Sequence, residues 1–172
     1  MSAYRFIYML AGILLLLSCG SDNNAPIDDP GNTTNHYLQL QPNGLNAIKV
    51  SCTEENFVFP FQIKAVGNGS NQGGEAQINS WSEDELKAYN NKEKTSYVLL
   101  PSSLYSLTST EVSFKEGIST MDVEVKFNPS KVFAEFREKT VEYVIALKLS
   151  SDKIQVRDSQ SRILLSISFD YP

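Results

Sequence analysis

The sequence predicts an all-β fold: an antiparallel β-sandwich with one or two short helices in its connections. Three observations predict it. From His36 onward apolar and polar residues alternate with a period of two in stretch after stretch, which is the pattern of half-buried strands. These stretches are short and separated by turn-rich segments, as in stacked antiparallel sheets. Only two segments carry helix-start signals.

The elements follow in order. Arg5 is the only charge in the first 21 residues, and Phe6 to Leu17 is an apolar run of 12 residues. A bilayer span needs about 20, so residues 1–18 read as a secretory signal peptide. Leu16-Leu17-Ser18-Cys19 resembles the lipobox of bacterial lipoproteins, in which the cysteine is lipidated and becomes the first residue after cleavage. Two or more acyl chains anchor stably where one does not, so the mature chain is expected to be tethered to a membrane through Cys19. Gly20 to Asn35 is rich in Asn, Asp, Thr, Pro and Gly and reads as a flexible tether. The folded domain is expected to run from 36 to 172.

Within it, Phe57, Phe59, Phe61, Ile63 and Ala65 share one face. Met121, Val123, Val125 and Phe127 alternate with charged residues. Val141, Tyr143, Ile145, Leu147 and Leu149 repeat the pattern, as do Ile163, Leu165, Ile167, Phe169 and Tyr171. Each strand is expected to keep one wet face. Shorter strands are expected at Tyr37–Leu40, Leu45–Cys52, Glu75–Asn79, Ser96–Leu100, Leu104–Thr108 and Glu111–Phe114. Pro60 lacks a ladder donor and predicts a strand edge or bulge. Gly67 to Gly74, GNGSNQGG, is a polar connecting loop. Ser82-Glu83-Asp84-Glu85 is a capping box that predicts a helix over about Glu83 to Asn91. Asn128 before Pro129 places an N-cap ahead of a proline at the first helical position and predicts a second helix, Pro129 to Phe136.

Composition excludes several function classes. The net charge is −5, and loss of residues 1–18, with one base and no acid, makes it more negative. No basic patch is present, which argues against nucleic-acid binding. With Cys19 lipidated, Cys52 has no disulfide partner, and its place after Ile48 and Val50 predicts a buried small hydrophobe. The one histidine, His36, lies at the tether boundary and is expected to be solvated, not held as a catalytic base. No ligand cluster with zinc spacing and no calcium loop appears, so neither metal nor cofactor is implied. Glu83, Asp84 and Glu85 suit the positive end of a helix dipole. GNGSNQGG lacks the Gly-Lys-Ser/Thr of a phosphate loop.

Aromatic residues remain as candidates for binding. Trp81 stands close to Asn79, Tyr89, Asn90 and Asn91. A sugar-binding site stacks pyranose rings on aromatic faces and rings them with amides, so Trp81, Tyr89 and Asn90 form a candidate glycan platform. The competing expectation is that Trp81 is a hydrophobic staple packed onto the helix that follows.

An ordered set of motifs carries a family resemblance. It comprises Ala88-Tyr89-Asn90, Tyr97-Val98-Leu99-Leu100-Pro101, Tyr105-Ser106-Leu107, Gly117 before an alternating strand, Phe127-Asn128-Pro129-Ser130, and Tyr143 to Leu149 before a closing apolar strand. Over roughly Leu45 to Tyr171 this resembles domain-of-unknown-function family seventeen-thirty-five. That family is the N-terminal module of many glycan-locus surface lipoproteins in one large phylum of Gram-negative bacteria. The chain departs from it at Ala146, where the family usually has Pro, and it ends at Pro172 where members often continue into a lectin-like or glycosidase domain. The resemblance implies an immunoglobulin-like β-sandwich on a lipid tether and brings no catalytic residues.

The expected protein is therefore a non-enzymatic lipoprotein of the outer membrane, at the cell surface or facing the periplasm. It would serve glycan capture or a surface complex, with polysaccharide or neighbouring surface proteins as partners. The alternative is a structural or adhesive subunit of a surface assembly. Mass spectrometry of the mature N-terminus is expected to find lipidated Cys19; an unmodified terminus at any other residue would exclude the anchor.

Overall fold

A computed structural model describes residues 36–67, 73–137 and 141–170. The expected signal peptide, Cys19 and the tether lie outside these described residues, as do Tyr171 and most of GNGSNQGG. Strand accounts for 52% of them, with two short helices, and the sheets curl into a half-closed mixed arrangement. The chain runs β1 (Tyr37–Gln41), β2 (Gly44–Ser51), β3 (Phe57–Val66), β4 (Gly74–Ser80), α1 (Glu83–Glu93), β5 (Val98–Leu99), β6 (Tyr105–Leu107), β7 (Glu111–Phe114), β8 (Thr120–Phe127), α2 (Pro129–Phe136), β9 (Tyr143–Ser150), β10 (Gln155–Val156) and β11 (Arg162–Asp170).

The strongest alternation builds the centre of the first sheet, ordered β10–β1–β3–β8–β6. β3 and β8 pair antiparallel, with Phe61 opposite Val123 and Phe59 opposite Val125. The second sheet is ordered β2–β11–β9–β4–β7, with β5 added beside β9. Leu38, Leu40, Phe61, Ile63, Val123 and Val125 of the first sheet share one core with Ile48, Val50, Ile145, Leu147, Ile163 and Leu165 of the second. Pro60 pairs with Glu124 on the β8 side, and β1 reaches only as far as Gln62. The proline thus occupies the part of β3 with no neighbour on its other side, where a missing donor costs nothing.

Five expectations are corrected. The pairing is not antiparallel throughout: β1 with β10, β2 with β11 and β5 with β9 are parallel. A parallel pair needs a long connection between its strands, and nearly the whole domain separates β2 from β11. β9 and β11 do not keep a wet face, because Val144, Ala146, Leu164 and Ser166 are buried as well as the core-facing residues. Cys52 is half-buried, since β2 ends one residue before it and the chain turns. His36 is half-buried too, with its Nε2 shielded and lacking a hydrogen-bond partner among the described residues. Val141, expected to face inward, is exposed ahead of β9.

The two helices form as their caps predict. At α1 the Glu85 N–H donates to Ser82 Oγ (3.2 Å) and the Ser82 N–H donates to Glu85 Oε2 (2.8 Å). The helix runs two residues past the predicted end, to Glu93, and Lys94 caps it in the left-handed region at φ 59°. At α2 Asn128 Oδ1 accepts from the Lys131 N–H (2.9 Å), and Val132 and Phe136 enter the main core. Leu38→Ala, at a fully buried position, is expected to lower stability in urea denaturation by about 2–5 kcal/mol. Leu45→Ala, at a half-exposed one, should stay within about 0.5 kcal/mol.

Candidate functional site

The outer face of β9 and β11 determines what Trp81 does. Val144, Ala146 and Leu164 point away from the main core and would face water on a bare sheet. Trp81 and Leu86 cover them and form a second buried cluster, with Tyr89, Tyr97 and Leu99 against its edge. Trp81 precedes the N-cap and Leu86 is the fourth residue of the helix, which are the positions of a hydrophobic staple. Two hydrogen bonds fix the tryptophan. Its backbone N–H extends the β4–β9 ladder to Ala146 O (3.0 Å), and its indole N–H donates to Leu147 O (3.1 Å).

Only 4% of Trp81 is exposed. A pyranose cannot stack on a ring buried to that extent, so the expected open platform is corrected to a packed staple. Tyr89 meets the indole edge-on at 5.6 Å between centroids, and Tyr97 stacks on Tyr89 at 6.4 Å. Asn90 is likewise committed to structure. Its Oδ1 accepts from Thr95 Oγ1 (2.8 Å) and the Tyr97 N–H (3.2 Å), and its Nδ2 donates to Tyr97 O (2.8 Å). It brackets the loop that leaves α1. Asn91 is exposed on α1, and Asn79 donates to Ser150 Oγ (3.0 Å) on the neighbouring strand. Of the predicted trio, Tyr89 alone presents a partly open ring.

Above the staple lies a groove of about 460 Å³. It is lined by Trp81, by Glu85, Tyr89 and Lys92 of the α1 segment, and by Leu45, Asp158 and Arg162. Leu45 is 48% exposed, so the groove has apolar surface at its mouth as well as aromatic surface below. Sequence reasoning identified Tyr89 and Trp81 but missed Leu45, Lys92, Asp158 and Arg162. They come from three segments far apart in the chain, and only the β2–β11 and β9–β11 pairings bring them together.

Charge is distributed unevenly here. Arg162 and Lys148 stand opposite each other across the β11–β9 ladder, and like charges so placed repel. Glu85 relieves one of them: Lys148 Nζ donates to Glu85 Oε1 at 2.7 Å. That bond, followed by the one from the Ser82 N–H, holds the Glu85 carboxyl below the usual glutamate value. Arg162 instead lies over the Trp81 ring, its guanidinium carbon 5.2 Å from the centroid. Burial, and then the negative charge of Glu93, pushes the Tyr89 phenol up, so it remains a neutral hydroxyl at neutral pH. Among the described residues no cluster of His, Cys, Asp or Glu could hold a metal ion, and no helix is long and apolar enough to cross a membrane.

A model of an N-terminal-domain family matches residues 29–156, about three quarters of the sequence. The chain belongs to this family, DUF1735. Among solved structures it is similar to one from Bacteroides ovatus described as a "putative carbohydrate binding protein" (TM-score 0.64, 15% identity, 77% of this chain and 36% of that one). It is similar to a multidomain protein including DUF1735 from Bacteroides ovatus (TM-score 0.56, 15% identity, 78% and 45%). It is also similar to EndoBT-3987 of Bacteroides thetaiotamicron, solved with a Man5GlcNAc product (TM-score 0.57, 17% identity, 77% and 31%). These are likenesses of fold, and the chain spans less than half the length of each of the three. No curated protein matches it in sequence.

The depressed Glu85 fixes the sign of a pH effect. A carboxyl with a lower pKa folded than unfolded stabilises the fold fully above its ordinary value, 4.5, and loses that contribution as pH falls through the folded value. Glu85→Gln is therefore expected to lower the Tm modestly at pH 7, by an amount that shrinks as pH falls below 4.5 and through the folded value, where the wild type loses its advantage. A Tm difference unchanged from pH 7 to pH 3 would contradict the Lys148 pairing.

Proposed function

We propose that this chain is a non-catalytic binding module of a cell-surface glycan system, built as an immunoglobulin-like β-sandwich and held at the outer membrane through lipid on Cys19. The single observation that carries the binding role is the groove over Trp81. It is large enough for a sugar residue or two, and its lining combines the aromatic Trp81 and Tyr89 with separate charged and hydroxyl groups. Such a mixture of apolar surface and a few oriented polar groups is typical of small-ligand sites. Membership in an N-terminal-domain family supports the adaptor role, as does similarity in fold to proteins whose names include carbohydrate binding and a glycan product. The anchor rests on the signal-peptide pattern and Leu16-Leu17-Ser18-Cys19.

A second reading, a structural or adhesive subunit or a partner-protein adaptor, is favoured by the outer edge of β2. This eight-residue strand pairs with β11 on one side and with no strand on the other among the described residues. Open edges of that length accept an added strand.

The full-length chain in detergent micelles, screened against a panel of polysaccharides, is expected to retain at least one. Tyr89→Ala should weaken that binding roughly tenfold, in line with the loss of one stacked or hydrogen-bonded wall. Retention of no polysaccharide, together with concentration-dependent oligomers, would favour the β2-edge reading instead.

A further inference from the structure

The groove contains a cation without an ionic partner among the described residues. On the outer face of the second sheet Arg162 and Lys148 are cross-strand neighbours, and one carboxylate, Glu85, serves the pair. Both Glu85 oxygens are taken, Oε1 by Lys148 Nζ and Oε2 by the Ser82 N–H. None of the ion pairs among the described residues includes Arg162. Asp158 also lines the groove, but it makes no ion pair with Arg162.

Arg162 is nonetheless held in place. Its guanidinium rests over Trp81, and Trp81 is fixed by two hydrogen bonds to adjacent carbonyls of β9. A planar guanidinium positioned over a ring is pre-organised, so less side-chain freedom is lost when its N–H groups bind a ligand. The edge of that plane carries N–H donors in the fork geometry that fits a carboxylate with two parallel hydrogen bonds. Lys92 adds a second positive charge to the lining, shared with Glu93 at 3.1 Å, and the lining carboxylate Glu85 is neutralised by Lys148. Tyr89 and Leu45 offer apolar surface to a ring face, and Asp158 offers an acceptor for hydroxyls.

We infer that the groove selects a carboxylate-bearing saccharide, a uronic-acid residue of a polysaccharide, with Arg162 as the residue that reads the carboxylate. This rests on the glycan-binding reading above and narrows it to acidic sugars. The ring lies against Tyr89 and Leu45, its carboxylate meets the Arg162 fork, and its hydroxyls face Asp158 and Lys92. Trp81 does not touch the sugar; it positions Arg162 from beneath.

Trp81 is the sole tryptophan of the chain and lies directly under Arg162, so its fluorescence reports the contact. The full-length chain in detergent is titrated with a galacturonic-acid oligosaccharide and with the neutral galactose oligosaccharide of equal length. The acidic ligand is expected to bind at least tenfold tighter, to shift Trp81 emission, and to weaken as salt is added. Arg162→Gln should reduce acidic binding to the neutral level with the far-ultraviolet circular dichroism unchanged. Arg162→Lys, which keeps charge but loses the fork, should fall between. Equal binding of both ligands, or acidic binding untouched by Arg162→Gln, overturns the acid selectivity and leaves the glycan reading standing. Binding of neither ligand overturns this inference, and absence of binding across the whole polysaccharide panel removes the glycan reading as well. A peptide ending in a free carboxylate that binds as tightly as the uronic acid would overturn the saccharide class.

Discussion

The outer face of the β9–β11 pair has to be covered, and the rest of the candidate site depends on how that is done. Val144, Ala146 and Leu164 form an apolar strip on the side of the sheet away from the main core. Trp81 and Leu86 close it, and their placement at either side of the Ser82 cap fixes where α1 lies. The magnitudes rank the contributors. Truncating a buried large aromatic costs about 3–5 kcal/mol, an N-cap about 1, and a half-exposed ion pair such as Glu85–Lys148 about 0.2–1. Apolar burial therefore positions the helix, the capping box sets where it begins, and the ion pair adds one tie from its first turn to β9.

The groove is a by-product of that covering. A helix laid across a twisted sheet cannot touch it along its whole length, and here the gap opens towards Leu45 at the start of β2. Its chemistry follows from the ladder register: two cations face each other across β11 and β9, and one capping carboxylate serves only one of them. The other is left stacked on the staple without an ionic partner among the described residues. A device that stabilises a helix start thus also leaves a positioned guanidinium at the mouth of a cleft.

Much of this architecture was legible in the sequence because its signals are local. The alternation in Phe57 to Ala65 and in Met121 to Phe127 depends only on neighbours two residues away, and both strands form where it points. Asn128-Pro129 defines the start of α2, and the capping box defines the start of α1. What stayed hidden depends on distant pairing. Nothing local shows that β2 runs parallel to β11, or that Val144 and Ala146 are covered by a helix some sixty residues earlier in the chain. The unbroken apolar runs Tyr143 to Leu147 and Ile163 to Leu165 were the available signal for a strand buried on both faces. Asn90 was misassigned because a side chain bracketing a loop and one awaiting a ligand look alike in sequence. Arg162 was missed because its significance lies in the register opposite Lys148.

Everything at the groove depends on Trp81 being a buried staple. Because it is the only tryptophan in the chain, acrylamide quenching of intrinsic fluorescence measures its shielding without ambiguity. A packed indole predicts blue-shifted emission and weak quenching in the folded protein, with both changing together in a single cooperative step on unfolding. Red-shifted emission, quenched in the folded protein as readily as free tryptophan, would contradict the staple and with it the position of α1, the groove and the role of Arg162.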